Sequence, residues 1–433
     1  MKKKNWKDTL AWLGEKLSFL KLDMDEDEEE ELEIEERAFA PGRELPEGDP
    51  KQRLERSRRQ VRHWRIFLAS LIVIIAGSFF LYNQLHVFRD YVITASKSVE
   101  AVSGTKYLSV GKKLYRYNSD GVSCISRTGD TEWSVTYSMQ APIADICDGT
   151  MVIAEQQGTQ VYIVNRDGLL GNFETQIPIL KARVSRQGVV ALVLQDDTVT
   201  WVNLYQVDGT SVATDKTTVG ESGYPLDVAL SPNGQKMAVS YLKLAEGVMT
   251  DEVVFYHFGA AGKDKTDNIV SRTEYTDEVI PQIYFTDDAH AVAVSDSGYH
   301  VFSGSNAPEE STSVQFEKEI ISSFHDAERI GFLFLNDDGD EQYRMELYNY
   351  SGRKKSSAKI DAKFDEIKIE NGQILMYNDK GFDVFSKSGH QRFSSAYEKE
   401  VEGFFYFGEY RKYLVISKDS FDKIRANIGK EPK

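Results

Sequence analysis

Residues 91–429 predict an all-β fold, an eight-bladed β-propeller, and three observations carry that expectation. Short apolar or alternating runs of about four to seven residues follow one another, separated by Gly, Asp, Asn and Ser, with almost no helical periodicity. A turn bearing glycine recurs at Gly129, Gly168, Gly209, Gly262, Gly304, Gly352 and Gly389. The intervals are 39, 41, 53, 42, 48 and 37 residues, the length of one four-stranded blade with occasional insertions. The final unit lacks its fourth strand, while a strand with no partner of its own precedes the first unit.

Ahead of the propeller the chain divides into three segments. In residues 1–22, Trp6, Leu10, Leu13, Leu17 and Leu20 fall on one helical face with Lys7 and Lys16 off it. Such an amphipathic helix lies on a membrane or docks a partner, unless it forms only transiently. Residues 23–63 are acidic and then basic. The stretch 23–36 is acidic except for Met24, Leu32 and Ile34, and a block of this kind repels itself and stays solvated, as a disordered cytoplasmic linker would. Residues 64–88 are expected to form a transmembrane helix. Their run IFLASLIVIIAGSFFLY, residues 66–82, carries no charge and as a helix is about 26 Å long, enough for one crossing of a bilayer. Lys51, Arg53, Arg56, Arg58, Arg59, Arg62 and Arg65 precede it, and only Arg89 and Lys97 follow closely. Cations stay inside, so a single-pass protein of the cell membrane is expected, with its N-terminus cytoplasmic and its propeller extracytoplasmic. A cleaved signal peptide would need a leading region of about sixty-five residues and has no convincing cleavage site.

The blades then follow in order, each with strands A to D from hub to rim. The first reads TKYLS, KLYRYN, VSCIS and EWSVTY; the second IADIC, MVIAE, QVYIV and LGNFETQI; the third ARVSR, VVALVL, TVTWVNLY and SVATDKT. The fourth reads LDVAL, KMAVSYL, EVVFYHF and a last strand near NIVSRTE; the fifth QIYFT, AHAVAVS, GYHVFS and TSVQFEK. The sixth is SSFH, RIGFLFL, YRMELYNY and KKSSAKI, and the seventh EIKIE, QILMY, GFDVFS and RFSSAY. Apolar residues occur on both faces of these strands because both faces meet neighbouring blades. The eighth unit, GFFYF, KYLVIS and FDKIR, stops after three strands and would expose an edge. Residues 92–102, VITASKSVEAV, supply the missing strand and close the ring. Counting the ragged last unit differently gives seven blades.

The unit SRTGDTEW at residues 126–133, with LSPNG at 230–234 as a second kind, resembles PQQ-like and WD40-like propeller repeats over roughly 92–429. That resemblance implies a tryptophan docked between blades after the glycine turn. Only Trp133 stands at this place, and Phe173 and Phe393 are the nearest equivalents elsewhere. The whole layout, acidic tail, apolar span and divergent propeller, resembles the DUF5711 family of membrane proteins of Gram-positive anaerobes. That family has no assigned activity, so the resemblance implies architecture and no mechanism.

No catalytic, cofactor-binding or metal-binding residues are assigned. The histidines are scattered, with neither H-E-x-x-H nor C-x-x-C. His290 and His300 lie in adjacent strands and read as ordinary surface or inter-blade residues. Cys124 and Cys147 lie in strands that do not pair directly and read as small buried residues rather than a disulfide. The carboxylates around Asn336, Asp337, Asp338, Asp340 and Glu341 lack EF-hand spacing and read as a solvated hairpin. Gly-x-Ser-x-Gly and phosphate-binding glycine loops are absent. The chain's net charge of −16, with no basic stripe outside the segment before the apolar run, argues against nucleic acid. The expected function is therefore a membrane-anchored binding or scaffold module at the cell envelope, with the bilayer and a protein or envelope ligand as partners and no cofactor. Its alternatives are a quinoprotein-like enzyme using the central funnel and a structural assembly factor for an envelope complex. Two long repeats are the best remaining clue: KLAEGVMTDE and GAAGKDKTD in the fourth blade, and NDDGDEQ in the sixth.

Overall fold

Alternating apolar residues give each repeat two faces to bury, and the chain satisfies them by stacking sheets in sequence order. The computed structural model describes residues 50–427 except 100, 101, 103, 198, 219–222, 246, 337–341 and 362. The segments 1–22 and 23–49 and the carboxylates at 337–341 therefore lie outside the described residues. Eight four-stranded antiparallel sheets occupy residues 106–136, 142–174, 179–218, 224–276, 282–315, 320–360, 366–396 and 401–427, the last completed by strand β1 (Asp90–Ser98). The seven-bladed alternative is thus overturned, because the ragged last unit is a full sheet.

Eight apolar clusters fill the interfaces between consecutive blades. Between blades 1 and 2, Tyr115, Cys124, Met151 and Ile153 are fully buried. The ring-closing cluster joins Leu114 and Ile125 of blade 1 to Phe405, Leu414, Ile416 and Phe421 of blade 8. Each such aliphatic or aromatic side chain gains about 1.5–3 kcal/mol from leaving water, so every interface is held mainly by apolar burial.

β1 pairs antiparallel with the last strand (Ser420–Asn427), from Asp90 opposite Asn427 to Ser98 opposite Ser420. The closing strand was expected over 92–102; it starts two residues earlier and stops at Ser98. Its partner begins at Ser420, and one further bond, from Val99 N–H to the Asp419 carbonyl at 2.9 Å, ends the ladder. A bulge between Ile93 and Ala95 lets the Thr94 hydroxyl donate to the Lys423 carbonyl at 3.0 Å.

The glycine turns join strands C and D. In blades 1 to 7 the C–D ladder shifts register next to the turn, the mark of a bulged hairpin. Gly209 shows what this demands: its φ is +84°, and an added Cβ would lie 2.7 Å from Cβ of Phe173 in the preceding blade. Gly262 differs, being outside the left-handed region, because its turn is part of a longer loop.

At the hub, carboxylates of innermost strands accept backbone N–H groups of the next blade. Asp145 accepts from Val184 at 2.9 Å, Asp227 from Ile283 at 3.0 Å and Glu370 from Tyr406 at 2.9 Å. Asp227 also receives Arg183 at 2.9 Å and Lys181 at 3.2 Å.

The chain divides into two compact units, Met1–Tyr82 and Asn83–Lys433. In the first lies most of helix α1 (Pro50–Leu85), which begins within the expected linker and ends before residue 88. Among the described residues no helix is long and apolar enough to cross a membrane. Residues 66–78 of the apolar run make about 20 Å of helix. Their side chains, Ile66, Phe67, Ile72 and Val73 among them, are exposed.

Candidate functional site

Strand ends divide the propeller surface into two faces. A–B and C–D turns lie on one, where β1 begins beside the end of the last strand. B–C and D–A connections lie on the other. On the first face opposite charges pair: Arg127 with Glu409, Arg186 with Asp148 at 2.6 Å, and Lys387 with Glu328 at 2.8 Å. The second face is acidic. Its B–C turns carry Asp120, Asp197, Asp296, Asp379 and Asp419, and its D–A connections Glu317, Glu319, Asp361, Asp365, Glu398 and Glu400. Against them, the described residues of these connections hold Lys318, Lys363, Lys380, Lys399 and Lys418; Lys399 pairs with Asp419 and Lys418 with Glu400.

The insertions read from the sequence fall on both faces. KLAEGVMTDE lengthens strands B and C of blade 4 (Lys236–Ala245 and Val248–His257), which pair to the hairpin tip, Ala245 opposite Val248. The tip reaches out on the acidic face with Leu244 64% and Val248 50% exposed, beside exposed Met249. Leu335, at the base of the B–C connection of blade 6, is exposed on the same face. GAAGKDKTD lies on the opposite face, where Gly259, Ala260 and Ala261 wall a cavity shared with blade 5.

Side chains that look reactive are mostly closed into the framework. His300, 2% exposed, lies between Glu278 at 3.0 Å and Glu310 at 3.1 Å, and the Tyr275 ring covers it at 4.2 Å. Glu278 also accepts from Ser295, Ser297 and Gln315. Burial pushes its carboxyl up, but the Ser295 and His300 hydrogen bonds outweigh that and hold it below its ordinary range. This network ties the connection entering blade 5 to strands C and D of that blade, with His300 and Glu278 buried and Glu310 at the surface. His290 is not near His300 in register; it faces Ser303 and bonds Asp287 at 2.9 Å. Cys124 and Cys147 are both free thiols, Cys124 fully buried and Cys147 partly so. Among the described residues no three His, Cys, Asp or Glu side chains are placed to hold a metal ion.

Trp133 does dock as the repeat resemblance implies: its indole N–H donates to the Arg166 carbonyl of the next blade's turn at 3.0 Å. Phe173 takes the equivalent place against Gly209 and Tyr205. With this architecture, residues 84–426 match the group described as "Family of unknown function (DUF5711)". The chain belongs to the DUF5711 family. No curated protein matches it. Among solved structures, this DUF5711 chain is similar to Sqt1 of Saccharomyces cerevisiae, at 10% identity over 79% of this chain and 100% of that one, with a TM-score of 0.50. BamB of Moraxella catarrhalis shares 12% identity over 78% of this chain and 100% of its own, with a TM-score of 0.45. The Pan2 WD40 domain of Neurospora crassa shares 8% over 68% and 90%, with a TM-score of 0.41. At such identities the likeness is one of fold alone.

The sequence pointed to the inserted loops but missed the acidic face, because the connections that form it are spread along the whole chain and meet only when the ring closes. It also missed the Glu278–His300–Glu310 network. Its members sit at turn and strand positions indistinguishable in sequence from solvated ones.

Proposed function

We propose that this DUF5711 protein is a binding or scaffold module held at the cell envelope. Its helix α1 anchors the chain in the membrane and its acidic face engages a protein partner. The observation that carries the binding reading is the blade 4 hairpin tip, where Leu244, Val248 and Met249 stand exposed on a face rich in carboxylates. Exposed apolar groups on a rigid two-stranded arm suit docking, since ordering the arm costs little at the moment of contact. Anchoring is supported by exposed apolar residues over 66–78 and by the cations that precede them, from Lys51 to Arg65.

Cross-linking in native membranes followed by mass spectrometry tests the binding reading. A specific cross-linked partner is expected with the unaltered chain and is expected to vanish with the Leu244→Glu, Val248→Glu pair. Recovery of that partner unchanged from the paired variant would overturn the assignment of the surface. Alkaline extraction of membranes, with protease added from outside, tests location: the chain should remain in the pellet and its propeller should be accessible.

A further inference from the structure

A second site stands on observations independent of the acidic face. Strand B of blade 4 opens with Lys236 and strand C closes with His257, and the two are directly opposite in the ladder. Both are buried, Lys236 2% and His257 5% exposed, and both line the cavity between blades 4 and 5, about 470 Å³ in volume. That is room for on the order of fifteen water molecules. Its remaining walls include Asn233, Asp288, Ser305 and Asn306 and the small residues of the inserted loop.

Two features of this cavity are unsatisfied by the chain itself. The Lys236 ammonium donates to the carbonyls of Gly304 at 3.1 Å and Ser305 at 2.9 Å, yet among the described residues no carboxylate lies within 4.0 Å of it. Buried charges are ordinarily paired with an opposite ion. Accordingly, burial draws the ammonium below its usual range, with Asp288 and Asp287 partly opposing that. His257 Nδ1 accepts the Gly259 N–H at 3.0 Å, which puts the ring proton on Nε2. Among the described residues that N–H has no protein acceptor. The nearby carboxylates are already engaged: Asp288 accepts from Asn233 N–H at 2.7 Å, and Asp287 from His290.

We propose that this cavity binds a small monocarboxylate, one oxygen accepting from the Lys236 ammonium and the other from His257 Nε2–H. Lys236 is the one cation among the described lining residues, and Asp287 and Asp288 beside it oppose negative charge, so one charge is the most the pocket takes and a dianion such as phosphate is disfavoured. The inserted loop Gly259–Ala261 then has a use: Cβ-free or small residues leave the pocket its volume.

The test is a titration of the full-length chain with lactate and gluconate, with inorganic phosphate in parallel. The His257 ring is followed by ¹⁵N NMR in the unaltered protein and affinity by calorimetry. Saturable binding of a monocarboxylate is expected, with a shift of the His257 Nε2 resonance. Lys236→Met should weaken it by about a hundredfold and His257→Phe by about tenfold, while both leave the propeller folded. No saturation by either acid up to about 10 mM would overturn the proposal, as would phosphate binding more tightly than the acids. An Nε2 signal that stays fixed while an acid binds elsewhere would overturn it too, and that readout needs no variant to fold.

Discussion

At the scale of single residues, the propeller's polar interior makes its stability depend on pH in two adjoining windows. His325 is stacked on Tyr284, with ring centroids 3.5 Å apart, and burial draws its pKa down to about 4, against a weaker opposing pull from Asp326. In the unfolded chain it takes a proton near its ordinary 6.5, which the folded chain refuses, so folding weakens as pH falls from 6.5 towards 4. His325→Phe keeps the stack and removes the proton, and urea melts of this variant should lose that part of the slope. Glu278 acts lower down. Its folded pKa lies below the ordinary 4.5, so its stabilisation is complete above that value and is lost as pH falls through the depressed one. Glu278→Gln should remove this acid limb, measured as a flatter fall in melting temperature below pH 4.5, while lowering stability at neutral pH. Gly209→Ala belongs to the same scale: a left-handed φ and a 2.7 Å approach to Phe173 should together cost about 2 kcal/mol or more, read from the shift in urea midpoint.

Elements carry the lesson on how much was legible. Strand order, blade boundaries and the borrowed outer strand could be read because period-two alternation and left-handed glycine turns are local signals. Gly129, Gly352 and Gly389 announce bulged hairpins to a reader who has no coordinates, and the structure places each at such a turn. The end of β1 at Ser98 was not local, since it depends on where Ser420 begins the opposing strand. Lys236 and His257 were invisible for a related reason. They become neighbours through ladder register, and Lys236 meets a loop of blade 5 while His257 meets the inserted loop of its own blade. β1 also makes a prediction of its own. Replacing Val92 and Ile93 with proline removes ladder N–H groups and should leave strand Ser420–Asn427 as an open edge. The expected outcome is concentration-dependent association in sedimentation, where the unaltered chain shows none from this edge.

Residues 88–427 form a closed circle in which each blade is buried on both sides. Removing one interface breaks two neighbours' cover, so unfolding of residues 88–427 should register as one transition by near- and far-ultraviolet circular dichroism. Two well-separated transitions would show that the seam at blade 8 opens first. That seam joins Thr94 to Lys423, 329 positions apart in the chain. A ribosome delivers β1 long before its mate, so over those 329 positions of synthesis this ribbon has nothing to zip to. A product lacking Ser420–Asn427 would present β1 as a raw border to proteases and chaperones. The two ends of the ring therefore shield each other only after blade 8 has been made.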